Sequence, residues 1–192
     1  MELLEKTIGF ALTGSFCTYR KVIPEIQKLK STGADIIPIM SEISCSTDTR
    51  FGKATDFINE IEEITKNKVI TTIKDAEPIG PKKLLDVLIV APCTGNTISK
   101  IANGIADTSV TLAVKAHLRN LRPVIIAVST NDGLGTNAKN IGVLINKKHI
   151  YLVPFGQDDA EKKENSLVAK MDLILPTVEK ALEGKQIQPI LT

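Results

Sequence analysis

Apolar positions along the chain fall into two kinds of run. The first is short, continuous and rich in β-branched residues: Thr7–Thr13, Ala34–Met40, Val69–Thr72, Asp86–Ala91, Pro123–Ser129 and Ile150–Pro154. Continuous rather than alternating hydrophobicity predicts strands buried on both faces, as in a parallel sheet. The second kind recurs at helical spacing. Tyr19, Val22, Ile23, Ile26 and Leu29 predict a helix after the first strand, kinked at Pro24 or carrying it near the first turn. Phe57, Ile58, Ile61 and Ile64 predict another, with Glu60, Glu62, Glu63 and Lys66 left for solvent. Thr94–Asn103 and Ser109–Asn120 read as successive helices, with Asp107 as the N-cap of the second. A last helix lies between Met171 and Glu183 and ends at Gly184. This alternation predicts an α/β fold: a three-layer, doubly wound parallel sheet of the Rossmann or flavodoxin kind, spanning residues 1–192 as one domain.

Composition narrows the function classes. Apolar residues make up 43% and charged residues 24%, which excludes wholesale disorder. With 24 Lys+Arg against 22 Asp+Glu, the net charge of +2 is too small for a phosphate-backbone binder. No apolar run approaches the ~20 residues of a membrane span. The N-terminus lacks the basic and apolar regions of a signal peptide, so the expectation is a soluble cytoplasmic protein. Cys17, Cys45 and Cys93 form no CxxC pair, and with only His117 and His149 beside them no metal site is expected. Both histidines read as structural or solvent-facing.

In a doubly wound sheet, ligands sit beyond the carboxyl ends of the strands, where strand order reverses. The loops there are Thr13-Gly14-Ser15, Ser41–Ser44, Pro92–Thr97 and Thr130–Gly133, dense in hydroxyls, amides and glycines. Such groups at a helix N-terminus make an anion cradle without Lys or Arg, suited to a mononucleotide phosphate. They are also ordinary turn and cap residues, and it is the convergence of four loops that favours a site. Neither GxGxxG after the first strand nor GxxxxGK[ST] is present, which counts against a dinucleotide fold and a P-loop.

The stretch Ala91–Asp107, APCTGNTISKIANGIAD, resembles a signature segment of the homo-oligomeric flavin-containing Cys decarboxylase superfamily. Thr13-Gly14-Ser15 is similar to that family's opening turn, and Ser41 matches its serine at the FMN phosphate. The resemblance runs from Thr7 to about Glu183. Two departures matter. The decarboxylases carry a catalytic His after the second strand, whereas Ser44–Phe57 contains none; their PxMNxxM segment survives only as Asn131 within Val128–Leu134. The flavin prenyltransferases' Arg-Glu pair is replaced by Ser129 and Thr130. The loop SCSTDTRFG and the segment VSTNDGLGTNAKNIGVL are instead similar to an oxidoreductase branch that forms one half of a two-component pyridine-dicarboxylate synthase in spore formers.

That resemblance implies an FMN cofactor and a small dicarboxylate substrate. It also implies a nicotinamide-binding, dehydrogenase-like partner subunit carrying NADP, and a homo-oligomer (trimer or dodecamer) in the mother-cell cytoplasm. Thr13, Gly14, Ser15 and Ser41 fall at the phosphate and ribityl end; Cys93, Thr94, Asn96, Thr97, Ser129 and Asn131 fall along the ribityl chain and ring edge. Cys93 opens a helix-start loop, as a reactive thiol would, and better suits a small buried packing position. Arg50, alone among the four arginines in a candidate loop, is the expected ligand of a substrate carboxylate. No residue stands out as a general base. Two rival readings are an FMN-dependent decarboxylase with an unusual base, and a non-catalytic partner that stabilises the dehydrogenase-like component.

Overall fold

The structure, a computed structural model, describes residues 3–192. Strand β1 (Thr7–Leu12) enters a 3₁₀ turn at Phe16–Thr18 and then α1 (Tyr19–Ser31); β2 (Asp35–Met40) is followed by α2 (Glu42–Ser46) and α3 (Ala54–Thr65). Helix α4 (Ile73–Ala76) leads to β3 (Val87–Cys93), α5 (Gly95–Ala102), α6 (Ser109–Leu118), β4 (Val124–Thr130) and α7 (Ala138–Ile145). The chain closes with β5 (Ile150–Leu152), β6 (Phe155–Asp159), β7 (Lys163–Ala169) and α8 (Ile174–Leu182).

Strands β2, β1, β3, β4 and β5 are parallel in that order. Helices α1, α3 and α8 pack beside one another, and α4 to α7 form the other helical layer. The expected three-layer α/β architecture is therefore present. Strand β3, VLIVAPC, is buried at every position, as its continuous hydrophobicity requires. Order reverses between β1 and β3, so the loops after these two strands splay apart there.

Local chemistry sets the helix starts near that opening. Tyr19 packs edge-on against Phe57, ring centroids 4.9 Å apart, and joins α1 to α3. Its hydroxyl donates to the Thr13 carbonyl at 3.1 Å, pinning the loop after β1. Burial pushes this phenol up to about 12, so it remains a neutral donor. Helix α1 continues through Pro24, forgoing one backbone N–H.

Three expectations need correction. Val69–Thr72 forms no strand but a single bridge from Ile70 to Ile39, because Thr72 already caps α4. Thr108, not Asp107, caps α6: its hydroxyl accepts from the Thr111 N–H, and Asp107 pairs instead with Lys100 at 2.9 Å. The largest omission is the β6–β7 hairpin. It carries FGQDD and KENSLVA, too charged to read as strands, and adds antiparallel to β4 through Ser129↔Val168 and Thr130↔Leu167.

Candidate functional site

At the carboxyl end of β1 and β3 lies a cavity of about 710 Å³. Its floor comes from the β1 loop and α1: Gly14, Ser15, Phe16, Cys17, Thr18 and Lys21. Thr94, Gly95 and Asn96 contribute the start of α5, and Ser129 to Asp132 the end of β4. Thr49 and Phe51 form one side, while the hairpin supplies Asp158, Lys163, Ser166, Leu167 and Val168 opposite.

Three hydroxyls meet at the floor. Ser15 Oγ lies 2.7 Å from Thr18 Oγ1 and 2.8 Å from Ser129 Oγ, and the last two are 3.1 Å apart. Thr18 and Ser129 are buried, so their hydroxyls bond to one another rather than to bulk water. Thr13, by contrast, braces the backbone: its hydroxyl donates to the Pro92 carbonyl at 2.6 Å and accepts from the Thr94 N–H at 3.0 Å. The two loops of the strand-order reversal are thus stitched together by one side chain.

Thr94 caps α5 by accepting from the Thr97 N–H. The first helical N–H groups, those of Gly95 and Asn96, have no partner within the helix and belong to cavity-lining residues, a favourable end for an anion. Gly95 is required by what lies behind it. A Cβ there would collide with Thr130 Oγ1 and stand 2.6 Å from Asn137 Nδ2 and 2.7 Å from Asp132 Oδ1. These atoms form a polar knot: Thr130 and Asn137 both donate to Asp132, and Asn140 donates to Asn137. The Thr130 hydroxyl, aided by Asn137, holds the Asp132 carboxyl below its ordinary range despite burial, so it stays anionic.

Of the residues singled out from sequence, the fold brings Gly14, Ser15, Thr94, Asn96, Ser129 and Asn131 to the cavity wall. Thr13 stands immediately behind it. Ser41 caps α2, accepting from the Ser44 N–H, and its hydroxyl lies 2.7 Å from that of Ser44. Thr97 is buried against Thr94. Cys93 is wholly buried with its thiol pushed up by desolvation, which keeps it protonated and out of the cavity lining. Arg50 is exposed and also outside the lining: its guanidinium sits 4.9 Å over the Phe51 ring, and it is Phe51 that faces inward. His117 is buried on α6, its Nε2 3.1 Å from the Pro123 carbonyl, far from this cavity.

Thr18, Lys21 and the hairpin residues fell outside the candidate loops, and Asp132 lay within one without being singled out. Thr18 and Lys21 had a readable signal, since both fall within two turns of Ser15 on the helix that the TGS turn starts. Asp158 and Lys163 had little, because charged residues near Glu161 read as an ordinary solvated turn.

Residues 1–176 match the flavoprotein family model. The chain belongs to the flavoprotein family. It is 50% identical over 190 residues to the B subunit of dipicolinate synthase from Bacillus subtilis (strain 168), covering 99% of this chain and 95% of that one. The crystal structure of the corresponding dipicolinate synthase component from Bacillus halodurans superimposes with a TM-score of 0.92 at 45% identity, covering 100% of this chain and 98% of that one. Burkholderia xenovorans DmrB in complex with FMN shares the fold, with a TM-score of 0.69 at 16% identity over 93% of this chain and 96% of that one. No helix among the described residues is long and apolar enough to cross a membrane, and no group of His, Cys, Asp and Glu there could hold a metal ion.

Proposed function

We propose that this flavoprotein is the B subunit of a dipicolinate synthase. In this reading it binds FMN and acts with an A subunit, itself carrying NADP, to oxidise a dihydro- or hydroxytetrahydro-dipicolinate precursor to pyridine-2,6-dicarboxylate during sporulation. One observation carries the reading: 50% identity to such a component along 99% of the chain.

The donor set of the cavity fits FMN. The phosphate end is assigned to Gly14 and Ser15 in the loop after β1, with Ser41 beyond it, and the ribityl chain and ring edge to Thr94, Asn96, Ser129 and Asn131. FMN, when bound, supplies the two-electron acceptor. The chain's own contribution is positioning: Thr13 fixes the two loops, the Asp132 knot fixes the end of β4, and Phe51 offers a flat apolar face. No histidine among the described residues lines the cavity, so proton removal is assigned to water or the A subunit. Aromatisation of the product lowers the demand on a protein base. The homo-oligomer, trimeric or dodecameric, completes the cavity's open side.

Reconstitution tests this reading. Dipicolinate formation is assayed with the A subunit, with this chain and with the two together, each with and without FMN. The expected result is turnover only when both proteins and FMN are present. Full turnover in the absence of this chain overturns the reading, and so does a lack of FMN affinity in this chain by fluorescence quenching.

A further inference from the structure

A dicarboxylate needs cations, and among the described residues the only cations lining the cavity are Lys21 and Lys163. Lys21 belongs to α1 and Lys163 to the hairpin. Lys21 extends from α1 one turn beyond Thr18 and forms no ion pair with a described residue. Lys163 opens β7 and is held at 2.5 Å by Asp158 across the hairpin. The other carboxylate in the lining, Asp132, is committed to Thr130 and Asn137 and competes for neither lysine.

We infer that Lys21 and Lys163 each receive one carboxylate of the substrate, so that the pair selects a dianion. This rests on the dipicolinate reading of the site and replaces Arg50 as its cation. An ammonium has three donors, and Asp158 takes one from Lys163, leaving others for a guest. Asp158 also keeps Lys163 protonated, raising its pKa chiefly through their hydrogen bond. The pair is partly exposed, at 58% and 32% for the two side chains, so little energy opposes its rearrangement around an incoming carboxylate. Two point charges from separate elements in one cavity favour a ligand with two anions over one with a single anion, by electrostatic complementarity.

The test uses the full chain saturated with FMN and calorimetric titration with pyridine-2,6-dicarboxylate and pyridine-2-carboxylate. Wild type is expected to prefer the dicarboxylate at least tenfold. Lys21→Met and Lys163→Met should each weaken the dicarboxylate at least tenfold and abolish the preference, while Lys163→Arg retains most of it. FMN affinity should stay within twofold in every variant. Unchanged dicarboxylate affinity in both lysine variants overturns the inference, as does loss in Arg50→Met in their place. Either result, with FMN still bound, leaves the cofactor reading standing. Failure of wild type to bind FMN removes that reading and the inference with it.

Discussion

The two walls of the cavity are held by different forces. The wall built from the parallel core is tied together by close hydrogen bonds: Ser15, Thr18 and Ser129 bond to one another, and the start of α5 leans on the knot around anionic Asp132 with no room for a methyl group at Gly95. The hairpin wall is charged and half-open, with Asp158 and Lys163 paired where water reaches both. Groups of the first kind are pre-arranged, because moving one strands a buried polar atom. Groups of the second kind adapt at little expense. On the proposed reading, a site that binds FMN and exchanges a substrate has use for one wall of each kind.

The sharpest way to break the contrast is at Gly95. Gly95→Ala drives a Cβ into Thr130, Asn137 and Asp132, none of which can retreat without giving up a bond. The expected cost is about 3 kcal/mol of stability, at the upper end for overpacking, measured by urea unfolding. Loss of FMN binding should accompany it. An unchanged midpoint would mean the knot is as adaptable as the hairpin.

A pH titration separates both walls from the far edge of the sheet. Burial lowers His117 to about 4, against 6.5 for a free imidazole. The unfolded chain therefore binds more protons between these values. The contribution of neutral His117 is present above about pH 6.5 and is lost as pH falls towards 4, amounting to roughly 3 kcal/mol. Denaturant melts from pH 7 to pH 4 should show this slope, and His117→Gln should flatten it. A slope that persists in the variant must come from elsewhere, and Asp132 becomes the first suspect.

The smallest effects compare the walls directly. Ser129→Ala removes one member of the hydroxyl triangle and should lower stability by about 1 kcal/mol, with weaker FMN binding. Asp158→Asn should leave the melting midpoint unmoved within error, since exposed pairs contribute little. Reversal of this order would make the hairpin the structural wall.

The parallel core was legible because each strand is buried on both faces and must be continuously apolar; Val87–Cys93 could hardly read otherwise. The loops after β1, β3 and β4 were legible for a related reason, since position in a doubly wound sheet fixes where they meet. Ser41 and Thr97 lie outside the cavity lining, and in sequence a serine that caps a helix, or a threonine packed beside a cap, looks the same as one that meets a ligand. Arg50 shares a tight turn with Phe51, and its exposed guanidinium stacks on that ring rather than entering the lining, which sequence position alone does not show. The hairpin was illegible because strands with an exposed face need not be apolar, and Lys163 to Asn165 are all exposed.

Strand β4 gives one edge to two neighbours: β5 takes Val124–Ile126 and β7 takes only Ser129 and Thr130. Hairpin length is therefore free to vary while the parallel core stays as it is. The tip at Ala160–Lys162, exposed throughout, is the natural place for inserted residues, and a graft there would remodel the mouth of the cavity from outside. Diversification of this scaffold, in nature or by design, has an open door at that turn.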